Sequence, residues 1–187
     1  MAPRVLDELA EGIRQCRRCP LSRGRTNAVP GEGPPDARIL FVGEGPGEQE
    51  DIQGRPFVGA AGQFLNDLLA EAGIDRQDVF ITNIVKCRPP GNREPRPDEV
   101  EACRDWLNGQ IAVINPRVVC TLGRPAMQTL VDPKAAMGRE HGRPREIMGM
   151  LFVPLYHPAA ALHQQSLRPT LIEDMRKLRD ILERFAR

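Results

Sequence analysis

Three apolar runs in this chain end on residue types that do chemistry. RILFVG (38–43) leads into Glu44, VFITNIV (79–85) carries Thr82 and Asn83, and MLFVPLY (150–156) leads into His157. A carboxylate positions water or stabilises a developing cation, and an imidazole exchanges protons or hydrogen bonds with a reacting group. An Asn amide offers both a donor and an acceptor, which suits the edge of a nucleobase. Gly43-Glu44-Gly45-Pro46-Gly47 follows the first run directly, and glycines there let backbone amides approach a ligand. The segment matches neither the dinucleotide fingerprint nor the P-loop. Its acids Glu44, Glu48, Glu50 and Asp51 face one base, Arg55, which makes a poor phosphate cradle. Phe57 sits between Pro56 and Gly59. It either stacks on a planar ligand or plugs the core ahead of a helix.

Cysteines supply a second chemistry. Cys16 and Cys19 form a two-ligand clip, Cys87 follows the second apolar run, and Cys103 lies further on. Four thiolates suit zinc or an iron–sulfur cluster, and the wide second spacing is less like a zinc ribbon. Reduced core cysteines are the other reading. Cys120, inside an apolar run, reads as core. An odd count of five and the absence of a secretory signal at the N-terminus argue against a disulfide framework and favour the cytoplasm.

The elements that must position these residues follow from periodicity. Helices are expected over 4–15, 59–72, 97–114, 124–131 and 169–186, with Leu171, Met175, Leu178 and Leu182 at helical spacing in the last. VVCTLG (118–123) is a further strand. Residues 20–36 and 44–59 read as loops. Strands that alternate with helices imply a parallel sheet covered on both faces, with ligands outside the strand carboxyl ends. The chain of 187 residues, 20.8 kDa, fits one domain spanning 1–187. The longest apolar runs are far too short to span a bilayer.

Composition narrows the partners. Twenty-six basic against 25 acidic residues exclude a uniformly cationic protein but not a local basic face. Eight aromatics are too few for a stacking platform along single strands. Residues 86–98 hold Lys86, Arg88, Arg93 and Arg96, and 139–145 hold Arg139, Arg143 and Arg145. Both segments read either as solvated loops or as a surface for DNA phosphates, with salt-dependent affinity.

The ordered set Gly43–Glu48, Gly54-Arg55-Pro56-Phe57-Val58-Gly59, Thr82–Pro90 and His157-Pro158-Ala159, with Cys16, Cys19, Cys87 and Cys103, resembles the family-4 (type a) uracil-DNA glycosylases. The resemblance runs from about residue 10 to 185. It implies an α/β/α sandwich with a four-stranded parallel sheet, a [4Fe–4S] cluster on the four cysteines, and release of uracil from DNA by hydrolysis of the N-glycosidic bond. It implies a flipped base held by Glu44, Gly45, Pro46, Phe57, Asn83 and His157, with Phe57 stacking, Asn83 reading the O4 and N3 edge, and His157 stabilising charge on uracil. Gly45 stands where another uracil glycosylase family has a water-orienting aspartate. Glu44 is therefore the first candidate for that role and Asp51 the second. Arg88, Arg93 and Arg143 are the expected DNA contacts and Leu162 the wedge that fills the vacated stack. Relatives carry an Arg after the His-Pro pair, where this chain reads Ala159–His163, and Arg168 is a substitute contact. Uracil-containing DNA is the expected partner of a nucleoid-associated monomer, with replication or repair proteins as further partners. A non-catalytic damage-binding module, a cluster-bearing scaffold and an enzyme for another deaminated base are the competing readings.

Overall fold

Every strand expected from the apolar runs forms, within one residue or two of its expected ends. The computed structural model describes residues 2–185. It contains β1 (Ile39–Gly43), β2 (Val79–Asn83), β3 (Val118–Leu122), β4 (Arg145–Ile147) and β5 (Met150–Leu155) in one sheet of order β2-β1-β3-β5-β4. β1, β2, β3 and β5 pair parallel, and β1 to β3 are buried along their whole length. That is why they read as continuous apolar runs rather than alternating ones.

The expected count of four strands becomes five. β4 pairs antiparallel with β5 at the sheet edge. Three residues, Arg-Glu-Ile, are too short and polar to give a periodic signal. The hairpin forms because Met148 and Gly149 take φ of 51° and 78°, the turn geometry that matches strand twist.

The helices are α1 (Ala2–Gln15), α2 (Leu21–Gly24), α3 (Glu48–Gln53), α4 (Ala60–Glu71), α5 (Pro97–Ile114), α6 (Arg124–Leu130), α7 (Met137–Glu140), α8 (Pro158–His163) and α9 (Arg168–Phe185). Residue 186, the expected end of the last helix, lies outside the described residues. One core joins Phe41, Ile81, Cys120 and Val153 of the sheet to Phe64, Leu65 and Leu68 of α4 and Leu171, Met175 and Leu178 of α9. The other joins Leu40, Val42, Val119 and Phe152 to Leu6 of α1, Leu107 and Ile114 of α5, and Ala126 of α6. These two cores make the three-layer sandwich. Cys120 is fully buried in the first.

The two expected loops carry more order than their composition indicates. Residues 29–33 run beside the open edge of β2: Ile81 and Glu32 exchange both backbone hydrogen bonds, at 2.8 and 2.9 Å, and Val29 N donates to Lys86 O. Gly31 and Gly33, at φ 120° and 144°, are required there because a Cβ at either would strike Phe80 or the β2 backbone. The strap caps an edge that would otherwise be free to pair with another chain. Segment 44–59 contains α3, a helix of six residues that a glycine-rich reading passes over.

Candidate active site

β1, β2 and β5 deliver their terminal residues to one cavity of about 500 Å³. Parallel strands open at the same end, so Glu44, Asn83 and His157 converge although far apart in sequence. Gly45, Pro46 and Phe57 line the same cavity, which brings together all six residues expected to hold the base.

Gly43 makes the closeness possible. It pairs with Asn83 across the sheet, and a Cβ on it would strike the Asn83 side chain and come within 2.7 Å of the Phe57 ring. Phe57 is buried at φ 50°, a conformation that costs a non-glycine residue about 1–2 kcal/mol. Several contacts enforce it. Arg76 donates to Phe57 O at 3.0 Å and to Pro56 O at 2.6 Å, and Gly62 leaves room for the Phe57 carbonyl against α4. The Phe57 and His157 rings stack with centroids 5.5 Å apart and planes 28° apart.

Asn83 is 1% exposed, and its Oδ1 has no hydrogen-bond partner. A buried, unpaired amide oxygen is costly, and this one belongs to a residue lining the cavity. Ala159 N donates to His157 Nδ1 at 3.1 Å, where His157 caps α8. That bond occupies the Nδ1 lone pair and leaves the proton of a neutral ring on Nε2. Burial holds the imidazole neutral, its pKa lowered to about 4 against the opposing pull of Glu50. Burial also raises Glu44 to about 7, helped by nearby Glu94 and opposed by Arg124. One carboxyl poised near neutrality beside one neutral imidazole is an arrangement suited to hydrolysis at neutral pH.

The two neighbouring acids of α3 face opposite ways. Asp51, the second candidate for positioning water, is turned away from the cavity. Its carboxylate accepts from Thr26 N at 2.9 Å and Asn27 N at 3.2 Å, and it is buried under that loop. Glu50 faces inward instead: Oε2 accepts from Gly47 N at 3.1 Å, and Oε1 accepts from Val58 N and Gly59 N at 2.9 and 2.8 Å. One carboxylate thus ties both walls of the cavity together. The spacing Gly47-x-x-Glu50 carried this signal, since Glu at the third position of a helix reaches back to the cap.

The expected DNA contacts divide. Leu162 on α8 is 41% exposed beside cavity-lining Ala159, Ala160 and His163. Arg143 is exposed, at the carboxyl end of β5, where Gly142 N donates to Pro154 O. Arg88 donates to Asn92 at 2.8 Å and lies 3.6 Å from Glu48 at the cavity rim. Arg93 lines the cavity with its guanidinium bidentate on Glu99, at 2.7 and 2.8 Å, and that carboxylate is fully buried and held down to about 2, chiefly by Arg93. Arg168 is exposed, with its guanidinium over the Phe64 ring at 4.5 Å.

Cys19, Cys87 and Cys103 pack in one small core with Leu21, Val85 and Trp106. The Trp106 indole donates to Cys16 Sγ at 3.3 Å, and Arg25 donates to Cys87 Sγ at 3.0 Å. Burial pushes the Cys87 thiol up against the pull of Arg25, and pushes Cys103 up to about 11. Among the described residues no three such donors gather about a point as a single ion requires. No helix of the described residues is long and apolar enough to cross a membrane.

A model of the uracil DNA glycosylase superfamily matches residues 30–182. The chain is 45% identical to the type-4 uracil-DNA glycosylase of Thermotoga maritima, over 96% of each chain. It is 47% identical to the type-4 enzyme of Saccharolobus solfataricus over 95% of this chain and 86% of that one. It is 45% identical to that of Sulfurisphaera tokodaii over 94% and 84%.

Proposed function

The chain belongs to the uracil DNA glycosylase superfamily, in its type-4 branch, and from that premise we propose how its own residues release uracil from DNA. The reaction is hydrolysis of the N-glycosidic bond, which leaves an abasic site and free uracil and so initiates base excision repair. A base inside the stack is out of reach, so the nucleotide swings into the cavity and Leu162 fills the gap it leaves. Phe57 stacks on the uracil ring. Asn83 Oδ1 accepts N3–H while its amide donates to O4. Cytosine presents the opposite pattern at both positions, leaving buried groups unpaired, and is refused. As the bond breaks, negative charge builds on uracil and positive charge on the sugar. The neutral His157 donates from Nε2 to O2 and stabilises the first. Glu44, ionised, positions water for C1′ and stabilises the second. The water oxygen ends on C1′, and a proton passes to solvent or to the departing base.

The observation that carries this reading is the unpaired Oδ1 of buried Asn83, in a cavity walled by stacked Phe57 and His157. A ligand N–H is what it lacks. Arg88 and Arg143 contact DNA phosphates around the acidic cavity, and Arg93 holds its loop in place.

Cys16, Cys19, Cys87 and Cys103 hold a [4Fe–4S] cluster. Support comes from the donor set itself: four cysteines close enough to influence one another, two of them with sulfurs that accept N–H bonds. The cluster's contribution is a covalent tie between the N-terminal segment and the loop and helix after β2.

The test is multiple-turnover cleavage of a labelled single-uracil oligonucleotide, with alkali to break abasic sites. Matched cytosine and thymine strands serve as controls. Cleavage confined to uracil and lost in Asn83→Ala is the expected result. A folded, brown protein that only shifts the oligonucleotide on a gel would overturn the enzyme in favour of a binding module.

A further inference from the structure

Lys86 has no part in the chemistry above, yet it is 1% exposed and among the largest fully buried side chains. Its Nζ meets three acceptors: Thr82 Oγ1 at 2.6 Å, Gln110 Oε1 at 2.7 Å and the backbone carbonyl of Asn83 at 2.8 Å. An ammonium has three donors and no acceptor, so the site is complementary to it. No carboxylate is among its partners. The remaining atoms of the network close it. Gln110 Nε2 donates to Pro30 O at 2.6 Å, and Thr82 Oγ1 lies 3.0 Å from the same carbonyl. Four elements therefore meet at one side chain: the end of β2, the helix α5, the strap beside β2 and the loop that begins at Lys86.

We propose that Lys86 is a positioning residue for base recognition, fixing the Asn83 carbonyl, and with it the Asn83 amide, against α5 and the Cys87 loop. The inference rests on the reading of Asn83 given above. Asn83 is the last residue of β2; past it the amides of Ile84 and Val85 still donate to Gly43 O and Glu44 O, at 2.9 and 3.2 Å, while the Asn83 carbonyl accepts from Lys86. A side-chain amide that must discriminate uracil from cytosine needs its backbone held. Lys86 supplies that hold from the face opposite the cavity. Because Cys87 is its neighbour in the chain and Gln110 lies two turns beyond Cys103 on α5, the same ammonium ties the reader to both cysteine-bearing elements.

The test is a double-mutant cycle on the holoenzyme, with Lys86→Met, Asn83→Ala and the pair, read as kcat/KM for uracil release. Lys86→Met keeps length and apolar volume and removes the three donors. It should lose roughly 10- to 100-fold, the scale of a misplaced catalytic group. It should lose almost nothing further in the Asn83→Ala background, because the effect runs through Asn83. Residual cytosine release relative to uracil should rise, which general loosening of the fold does not produce. Thr82→Val removes one acceptor and keeps the branched shape. It serves if Lys86→Met fails to fold, and should show the same non-additivity with a smaller loss. Full additivity with Asn83→Ala, or activity unchanged in both variants, would overturn the proposal. Unchanged activity in Asn83→Ala itself would instead remove the reading on which it rests.

Discussion

The loops that leave β1 and β2 open at the same end of the sheet and line the same cavity, yet they are held by opposite means. Segment 44–59 is tied by carboxylates that accept backbone amides. Glu50 takes Gly47, Val58 and Gly59, and Asp51 takes Thr26 and Asn27. Arg76 completes it from outside. Segment 84–96 is tied by cations, Lys86 on Asn83 and Arg93 on Glu99, and by the cysteine site that Cys87 shares. The first loop carries its own fastening. The second leans on the four-cysteine site and, in the reading proposed above, on the cluster held there. A cavity wall that bears the strained Phe57 has to be fixed by the fold itself, while the wall that bears Arg88 is secured from a distance.

Breaking the cysteine site should give the largest effect. Cys87→Ala should lower stability by about 5 kcal/mol, which for a chain of this size is roughly 10–20 °C in thermal midpoint. Its effect on stability should precede any on chemistry at low temperature. A colourless Cys87→Ala protein that melts with the wild type would show that the second loop needs no tie. Glu50→Ala attacks the first loop instead. Three partly buried amides lose their acceptor, at about 1 kcal/mol each, so calorimetry should show about 3 kcal/mol lost with the cluster absorbance intact. Uracil release should fall with it, because Gly47 and the Val58–Gly59 turn that follows Phe57 are no longer held. An unaltered midpoint would mean that Arg76 and Asp51 suffice.

The two ionisable groups of the cavity sharpen the comparison through pH. Glu44, raised to about 7, is mostly protonated at pH 6 and ionised at pH 8. His157, lowered to about 4, stays neutral throughout that range. The kcat/KM profile should therefore rise through about pH 7 as a single limb, and Glu44→Gln should flatten and depress it. A flat wild-type profile would remove Glu44 from the reaction. The smallest effects separate two arginines that look alike in sequence. Arg93→Met leaves the buried Glu99 without its bidentate partner and should lower the thermal midpoint more than DNA affinity. Arg143→Ala should leave the midpoint unchanged and reduce the log–log salt dependence of binding by about one. The reverse assignment would place Arg93, not Arg143, on DNA.

Much of the site was legible before the fold was known. Glu44, Asn83 and His157 each follow or end an apolar run, and parallel strands open at one end, so their convergence is a consequence of chain order. Phe57 was visible because an aromatic among Gly and Pro has few reasons to be there. What could not be read was the choice between adjacent acids. Glu50 and Asp51 differ by one residue, about 100° around a helix. Which of them faces the cavity depends on where Thr26 and Val58 lie in space. Arg93 and Arg143 posed the same problem, since a buried partner such as Glu99 is recognisable only once α5 is packed.

The sequence by itself determined the four parallel strands, the five longer helices, their order and the residues delivered to the strand ends, because hydrophobic periodicity and glycine or proline stops act over a few residues. Tertiary structure alone decided which polar groups are free to react and which are fastenings. Asp51, Arg93 and Lys86 are spent on partners that include groups 24 to 25, 6 and 24 residues away. A charged group taken out of water must find such partners wherever the packed chain places them. Nothing in its local spacing says where that is.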